Sequence, residues 1–430
     1  MPIFYNQGAM QTELILAGNG PGELAGWIRP TAEAAKAAAR TNGQPVRLTL
    51  ALLPTQFAGG TELDTARSWN LFDRILPPGD CLRLAAGVGS LEVSPHAVLV
   101  HLGGDPWLSG RLADRLRIPA CAFSETPLIA TRHRRFGRIL VPTDAHAAAL
   151  QARGVPAAKI SVTGDPRAAR PALARRLALN PSVSSGSGRA QNPSAASDPA
   201  QTDVPETAAS HPPEVLMLLP GSRDRLFSAA MALFGEIAAA VRAIRPGIDA
   251  AVIVSPFVSQ TALVAARQDA ERRWPTLPLR WITGDPWPEL ARATFAVSVP
   301  GTTTLELAAA GIPFAAVVHL DYIGVAAVEG PLEWIARATG LHRLIKRMVL
   351  DRYLRRAGYL ALPNQRAGRE IVPEWIGRWT AEEVANRLNT LLDAPDALAA
   401  MSAALAQLYE RDVGAPSAIV AAAMEAAGAA

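Results

Sequence analysis

The chain has 430 residues, which exceeds the length at which a single hydrophobic core keeps growing, so two domains are expected. Hydrophobic residues make up 49% of the chain and charged residues 19%, and this composition excludes a protein that is disordered throughout. The formal net charge of +4 favours anionic ligands but does not distinguish nucleic acid, phosphate and lipid headgroups.

Cysteine usage and the start of the chain bear on its location. Cys81 and Cys121 form no C-x-x-C or zinc pattern and lie in apolar segments, which predicts buried, reduced thiols and an intracellular protein. The opening residues, MPIFYNQGA, lack the basic start and apolar run of a secretion signal, and Met10 is an alternative natural start. No uninterrupted run of about 18 apolar residues occurs, so we expect peripheral rather than spanning contact with any membrane.

The first half alternates short apolar runs with segments of helical length. Predicted helices include RPTAEAAKAAAR at 29–40 and DAHAAALQARG at 144–154, in which Asp144 is the predicted N-cap and Gly154 the predicted C-cap. The predicted strands are TELILAG at 12–18, AVLVHL at 97–102, IPACAF at 118–123, GRILVP at 137–142 and KISVTG at 159–164.

Residues 181–213 differ in composition from the segments on either side. They are rich in Ser, Pro and Ala, and Val183 and Val204 are their only larger apolar residues, so they cannot bury enough surface to offset their ordering entropy. We therefore predict a flexible linker between a first domain at 10–180 and a second at 214–380, with helices at 381–430. Thr380 and Glu383 have the spacing of a capping box at the start of those helices.

The second half repeats the alternation of strands and helices. Continuous apolar strands separated by helices predict parallel sheets covered on both faces, and right-handed crossovers give them a doubly wound topology. The predicted fold class is α/β, with two doubly wound Rossmann-like domains and an intervening cleft, where a ligand should bind at the carboxyl ends of the strands. The predicted strands are EVLMLLPG at 214–221, DAAVIVSP at 249–256, LPLRWITG at 277–284, ATFAVSVPG at 293–301 and IPFAAVVHL at 312–320.

Three loops lead from a strand into a helix, where unpaired N–H groups and the helix dipole favour an anion. The first, GNGPGELAGW at 18–27, contains Gly20 and Gly22, which allow close approach of a substrate, and Glu23, which can accept a hydrogen bond from a sugar hydroxyl. It lacks the last glycine of the dinucleotide fingerprint G-x-G-x-x-G. The alternative is a glycine-rich turn whose glutamate only starts a helix.

The second loop, LLPGSRDRLF at 218–227, places Ser222 and Arg223 after a predicted strand. Arg223 would be a bidentate donor to a diphosphate, because a guanidinium presents paired N–H groups to phosphate oxygens. In the alternative interpretation, Ser222 and Asp224 cap a helix and Arg223 is solvated.

The third loop, VSVPGTTTLELAAAGIP at 297–313, contains a glycine turn at Gly301 followed by three threonines, Thr302, Thr303 and Thr304. Their hydroxyls and the N–H groups at the helix start are predicted to hold phosphate oxygens. Glu306, one turn into the helix, would accept hydrogen bonds from two ribose hydroxyls. The alternative is a capped helix with a solvated glutamate, which leaves the three threonines unexplained. No Walker A sequence is present.

Late in the chain, ALPNQRAGREIVPE at 361–374 concentrates hydrogen-bonding side chains between short apolar patches. Together with LLPGSR at 218–223 and PGTTTLELAAAGIP at 300–313, this stretch resembles, in order and rough spacing, the bacterial lipid-A-disaccharide synthases, glycosyltransferases of the two-domain GT-B architecture. The resemblance covers most of the second half and extends more weakly over 14–167. The chain is thus identified as a divergent member of that family.

The resemblance implies an inverting transfer of a sugar, acylated or not, from a UDP-sugar donor to a lipid-linked or glycolipid acceptor, without metal or other cofactor. It places the donor on the second domain, with Asn364, Arg369 and Glu370 as contacts or supports of the UDP, and the acceptor on the first. The alternative for Arg369 and Glu370 is an ion pair on a helix face, worth under about 1 kcal/mol. The resemblance further implies a homodimer formed through the C-terminal region, and we expect no nucleic-acid partner.

The first half departs from the family at two loops. The family's Gly-Glu-x-Ser-Gly-Asp loop is replaced by PGELAGW at 21–27, with Ala25 and Trp27 at the serine and aspartate places, which predicts a different acceptor pocket. The family's acidic loop corresponds to HLGGDPW at 101–107, where Asp105 is the predicted base for the acceptor hydroxyl. Asp105 also has an ordinary explanation as a turn residue before a proline. His101 is a rival base, although a histidine inside an apolar strand is typical of a core.

Two basic clusters adjoin apolar residues. The first is Arg132, His133, Arg134 and Arg135, and the second occupies LHRLIKRMVLDRYLRR at 341–356. They favour a peripheral position on the inner face of the cytoplasmic membrane, with solvated charged faces as the alternative. Two other functions remain open: a UDP-sugar epimerase, and a noncatalytic relative that binds nucleotide or lipid.

Overall fold

A computed structural model of the chain describes residues 11–55, 60–179, 214–320 and 358–428. The predicted linker at 181–213, the basic segment at 341–356 and Met10 lie outside the described residues. The described strands form two parallel sheets, one before and one after the predicted linker.

The first domain contains a sheet of seven parallel strands. Its strands are β1 (Thr12–Gly18), β2 (Val46–Leu52), β3 (Arg74–Leu76), β4 (Ala97–His101), β5 (Ala120–Phe123), β6 (Arg138–Val141) and β7 (Ile160–Val162). Its helices are α1 (Pro21–Glu23), a π-helical turn (Leu24–Ile28), α2 (Arg29–Asn42), α3 (Glu62–Ser68), α4 (Pro78–Ala86), α5 (Pro106–Leu116), α6 (Asp144–Gln151) and α7 (Ala169–Leu179). The strand order is β3-β2-β1-β4-β5-β6-β7.

The second domain contains a sheet of six parallel strands. Its strands are β8 (Val215–Leu219), β9 (Asp249–Ile253), β10 (Leu279–Ile282), β11 (Phe295–Ser298), β12 (Phe314–His319) and β13 (Glu374–Gly377). The helices after the first domain are α8 (Asp224–Ile244), α9 (Gln260–Arg273), α10 (Trp287–Leu290), α11 (Thr302–Ala309), α12 (Leu362–Ala367), α13 (Ala381–Leu392), α14 (Pro395–Tyr409) and α15 (Ala415–Gly428). The strand order is β10-β9-β8-β11-β12-β13.

Both strand orders reverse beside the first strand of their domain, which confirms the predicted doubly wound topology. Every residue of β4 and of β8 is buried, as expected for parallel strands covered by helices on both faces. All ten predicted strands are present, and β2, β3 and β13 are additional.

The C-terminal helices divide between the two domains. Helix α13 packs against α8 of the second domain, whereas α15 returns to the first domain and packs against α2, β4 and β5. The chain therefore crosses between the domains a second time, through the 3-10 turn Glu410–Gly414.

The structure corrects two predicted caps, Asp144 and Gly154, and confirms a third at Thr380. Helix α6 is capped by Thr143, whose hydroxyl accepts from the His146 N–H, so Asp144 is its first residue and not its cap. That helix ends at Gln151, and Gly154 lies beyond it with a φ of 83°. The capping box of Thr380 and Glu383 is confirmed. Cys81 and Cys121 are buried free thiols, as predicted.

Helix α8 is long and apolar enough, by composition, to cross a membrane. Its buried face includes Phe227, Phe234 and Ile237, which belong to the core between the second sheet and α13. We therefore assign α8 to the core of the second domain.

Candidate functional site

A cavity of about 140 Å³ lies between the two domains, where the carboxyl ends of the two sheets face each other. This is the position predicted for ligand binding in a doubly wound fold. The first domain and the chain crossing contribute Pro21, Gly22, Ala25, Gly26, Arg29, Pro30, Pro166, Arg167, Arg170 and Pro171, and the second domain contributes Leu219, Gly221, Ser222, 253–257, Gly284, Pro286, Trp287, Leu290, Thr302, Thr303, Glu306 and Leu307.

The start of α11 forms one wall of this cavity. Gly301 precedes the helix with φ 151° and ψ −164°, a conformation that is essentially restricted to glycine. Thr302 and Thr303 line the cavity, as the phosphate-site prediction requires. Thr304 does not, because it is fully buried; its hydroxyl donates to the Gly301 carbonyl at 2.7 Å and accepts from the Leu362 N–H at 3.2 Å. Thr304 thus joins α11 to α12 and has no hydroxyl left for a ligand.

Glu306 lines the cavity one turn into α11. Its removal from water raises the pKa of Glu306 to about 7, although Arg167 and Arg170 act in the opposite direction. Within the described part of the chain its carboxylate makes no hydrogen bond or ion pair. An acceptor without a protein partner in a cavity wall is suited to ligand hydroxyls.

The loop before α8 forms the adjoining wall. Gly221, with a φ of 105°, and Ser222 line the cavity, whereas Arg223 is exposed at the start of α8. Asp224 does not cap its helix, since its carboxylate accepts from the N–H and hydroxyl of Ser259 at 2.8 and 2.6 Å. The structure therefore does not support the helix-capping alternative for this loop.

On the first domain, Gly22 faces the start of α11. A Cβ atom at Gly22 would lie 3.3 Å from the Thr302 methyl carbon, so the glycine allows the two domains to approach each other here. Gly20 is the N-cap of α1 and is not among the residues lining the cavity.

Glu23 is used inside the first domain. One carboxylate oxygen accepts from the N–H groups of Asn19 and Gly20 at 2.8 and 3.2 Å, and the other accepts from Gly104 at 3.1 Å. Burial raises the pKa of Glu23 despite these bonds. Glu23 therefore ties the loop after β1 to the loop after β4, a use that the prediction of a sugar contact did not foresee.

Asp105 caps α5 by accepting from the Trp107 N–H at 2.8 Å, and it is exposed. It is not among the residues that line the cavity. His101 is 4% exposed, its Nδ1 lies 2.8 Å from the Ser109 hydroxyl, and burial lowers the pKa of His101 to about 4. His101 is thus a neutral core histidine, as its position in an apolar strand indicated.

Asn364 is fully buried in the second domain. Its amide nitrogen donates to the Val372 carbonyl at 2.8 Å and to Glu374 at 2.9 Å. Its oxygen accepts from the N–H groups of Ile371 and Val372 at 2.7 and 3.0 Å. With both groups engaged, Asn364 supports the segment before β13 and does not contact the cavity.

Arg369 and Glu370 are exposed and lie after α12, which ends at Ala367 and is followed by Gly368 with a φ of 66°. The proposed ion pair on a helix face is therefore wrong, because these residues are not helical. Neither residue lines the cavity.

Sequence reasoning missed the buried charges at the first crossing between the domains. Arg167 is 5% exposed and lines the cavity; its guanidinium bonds both oxygens of Asp165 at 3.0 and 3.1 Å and also contacts Glu125. The guanidinium carbon lies 5.1 Å from the Trp27 ring centroid. The sequence does contain an indication of these charges: in TGDPR at 163–167, Asp165 and Arg167 follow a predicted strand directly.

Two further arginines that were missed, Arg29 and Arg170, share one carboxylate. One Glu33 carboxylate oxygen lies 3.0 Å from the Arg29 Nε, and the other lies 3.3 Å from the Arg170 Nε. The Arg170 guanidinium also lies 3.6 Å from a carboxylate oxygen of Asp285 in the second domain. Burial lowers the pKa of Arg170, with Arg29 contributing in the same direction. The first-domain wall of the cavity therefore presents three guanidinium groups.

No protein-family model matches the chain. Lipid-A-disaccharide synthase of Granulibacter bethesdensis is 31% identical over 186 residues, which are 42% of this chain and 40% of that protein. The synthase of Pseudomonas aeruginosa is 32% identical over 186 residues, 42% of this chain and 41% of its own length. The chain is a divergent relative of the lipid-A-disaccharide synthases. It spans about two-fifths of the length of the curated synthases it matches.

Solved structures show that the fold of the chain occurs in other proteins. UDP-GlcNAc 2-epimerase from Neisseria meningitidis, bound to UDP-GlcNAc, has a TM-score of 0.55 at 11% identity, covering 97% of this chain and all of that one. S. aureus MnaA, in a co-structure with UDP, has a TM-score of 0.52 at 11% identity, with 95% of each chain covered. The architecture is GT-B, as predicted.

Proposed function

We propose that the protein is an inverting glycosyltransferase that moves a sugar from a UDP-sugar to a lipid-linked or glycolipid acceptor. The observation that carries this proposal is the cavity in which Thr302, Thr303 and Ser222 of the second domain face Gly22 of the first. The wall that we assign to the donor and the wall that we assign to the acceptor meet there, and the chain is a relative of the lipid-A-disaccharide synthases.

The second domain would hold the donor. The N–H groups and hydroxyls at the start of α11 bind the diphosphate, because the positive end of the helix dipole favours an anion. Arg223, at the start of α8, would add its guanidinium to the charge that develops on the departing UDP. Glu306, within the same wall, accepts hydrogen bonds from ribose hydroxyls when ionised.

The first domain would hold the acceptor on the opposite side of the sugar. Attack of the acceptor hydroxyl on the face away from the diphosphate inverts the anomeric centre. Because the two walls touch at Gly22 and Thr302, closure around the substrates would exclude water and so limit hydrolysis of the donor.

Calorimetry with UDP and UMP tests the donor site. We expect UDP to bind at least about tenfold more tightly than UMP, since the second phosphate meets the start of α11. Combined Thr302→Val and Thr303→Val substitutions should remove most of this difference. Thr41→Val, a matched change on the exposed face of α2, should preserve it. Equal affinity for UDP and UMP would contradict the donor assignment.

Transfer is tested with radiolabelled UDP-sugars and a lipid extract. Label should move into lipid, and the nucleotide sugar should be unchanged when lipid is omitted. A change of sugar configuration without lipid would favour the second candidate, a UDP-sugar epimerase, an activity named for solved proteins of the same fold. Binding of UDP without turnover in either assay would favour the noncatalytic alternative.

The proposal extends to an anionic membrane surface on the inner face of the cytoplasmic membrane. Trp107 at the start of α5 is 45% exposed and Leu128 is 68% exposed, and Arg132 and Arg134 are exposed on the same segment as Leu128. Large apolar side chains beside arginines favour anionic lipid. Flotation with phosphatidylglycerol vesicles should retain the wild type better than a Trp107→Ser, Leu128→Ser variant. Equal retention would contradict this part of the proposal.

A further inference from the structure

Carboxylates follow several strands of the first sheet at the edge that faces the cleft, including these four: Glu23 after β1, Asp105 after β4, Glu125 after β5 and Asp165 after β7. Three of them are engaged in holding the fold. Both oxygens of Glu23 accept backbone N–H groups, Asp105 caps α5 outside the cavity lining, and both oxygens of Asp165 accept from the Arg167 guanidinium.

Glu125 differs from the other three. Its side chain is 32% exposed, and one oxygen accepts from the Arg167 guanidinium. Its second oxygen makes no hydrogen bond with any residue that the structure describes. Arg167 lines the cavity, whereas Glu125, like Asp105, is not among the lining residues, so this bond is what links the Glu125 carboxylate to the cavity on the acceptor side.

The charges around Arg167 do not cancel. One guanidinium contacts two carboxylates, so the group of Asp165, Arg167 and Glu125 carries one surplus negative charge. Asp165 is 2% exposed; burial acts to raise its pKa, but Arg167 and Arg366 outweigh burial and lower it. Of the two carboxylates, Glu125 has the more exposed side chain, at 32% against 3% for Asp165, so its free oxygen is the one within reach of solvent or substrate. Glu23 and His146 are among the titratable groups that interact electrostatically with Glu125.

We propose that Glu125 is the base that accepts the proton of the acceptor hydroxyl, with Arg167 as its positioning residue; this rests on the proposed glycosyl transfer. The acceptor O–H proton moves to the free oxygen of Glu125 while the acceptor oxygen bonds to the anomeric carbon. The bond from that carbon to the diphosphate oxygen breaks, and UDP departs with the electron pair.

The test compares Glu125→Gln with Glu289→Gln. Glu289 is a matched control, because its side chain is 28% exposed and it also has one arginine partner, Arg280 at 2.9 Å. With labelled UDP-N-acetylglucosamine and a lipid extract, we expect Glu125→Gln to lower kcat by about 100-fold or more. UDP affinity should stay within about twofold of wild type in both variants, and the acid limb of the pH–rate profile should disappear only in Glu125→Gln. Glu125→Asp should restore part of kcat.

The possible results distinguish a failure of the Glu125 assignment from a failure of the proposed glycosyl transfer. If Glu125→Gln keeps more than about a tenth of kcat, or if Asp105→Asn alone abolishes transfer, the assignment to Glu125 is overturned while the glycosyltransferase stands. A wild-type protein that neither binds UDP nor transfers label overturns the proposed function and this assignment with it. If melting shows that Glu125→Gln is unfolded, Glu125→Asp replaces it, and a wild-type kcat and pH profile in that variant overturn the assignment.

Discussion

At the scale of single residues, Glu306 makes stability depend on pH. Burial raises the pKa of Glu306 to about 7 in the folded state, above the ordinary 4.5, so the folded protein binds this proton more tightly than the unfolded chain. The resulting stabilisation is complete below the unfolded pKa and is lost as pH rises through about 7.

Replacing Glu306 with glutamine should therefore stabilise the protein more at about pH 8 than at about pH 5, because only the wild type loses stability over this interval. Urea unfolding of both proteins at the two pH values measures the difference. Glu271→Gln, on the exposed face of α9, is the control for removing a carboxylate from a helix. If Glu306→Gln changed the unfolding free energy equally at both pH values, the raised pKa of Glu306 would be refuted.

Asn364 offers a second test at this scale. Asn364→Ala leaves the N–H groups of Ile371 and Val372 and the Val372 carbonyl without their partner, and each unsatisfied group costs about 1–3 kcal/mol. The Glu374 carboxylate keeps its bonds from the Leu360 and Ala361 N–H groups. We expect a loss of about 3 kcal/mol or more in urea unfolding. Gln365→Ala, which removes an exposed amide from the same helix, should cost under about 1 kcal/mol. Similar losses for both variants would show that the Asn364 bonds are not structural.

The residue types at the cleft could be predicted from the sequence, but their hydrogen-bond partners could not. Thr302 and Thr304 look equivalent in the sequence, yet only Thr302 lines the cavity, because Thr304 bonds Leu362, 58 positions later. Likewise, Arg167 bonds not only the neighbouring Asp165 but also Glu125, 42 positions earlier. Such hydrogen-bonded pairs depend on how elements that are distant in the sequence pack together, and a local sequence pattern cannot predict that packing.

At the scale of elements, the capping box of α13 can be tested directly. Thr380→Ala removes the side-chain acceptor of the Glu383 N–H and should cost about 1 kcal/mol. Thr390→Ala, at an exposed position in the last turn of the same helix, should be neutral or slightly stabilising because alanine has the higher helix propensity. Chemical denaturation of the two variants measures both values. A loss at position 390 as large as that at 380 would argue against a capping role.

Burial explains only part of which strands the sequence predicted. Several of those it predicted, such as β4 and β8, are apolar runs buried on both faces, but β7 and β10 were also predicted although none of their residues is fully buried. The missed β3 has three residues, and all four residues of β13 are only partly buried, so neither gives a continuous apolar signal. Strand β2 did carry a signal, since six of its seven residues are buried. Pairing with β1 and β12, respectively, defines β2 and β13 as strands.

At the scale of the whole molecule, the last helices belong to different domains although they are close in sequence. Ile419 of α15 and Leu388 of α13 are both fully buried, but Ile419 packs in the core beside β1 and β4, and Leu388 in the core beside α8. Each alanine substitution should cost about 2–5 kcal/mol. Ile419→Ala should lower hydrogen-exchange protection mainly in β1 and β4, and Leu388→Ala mainly in β8 and β11, because local opening follows the damaged core. Loss of protection in the same strands for both variants would mean that the two domains unfold as one unit.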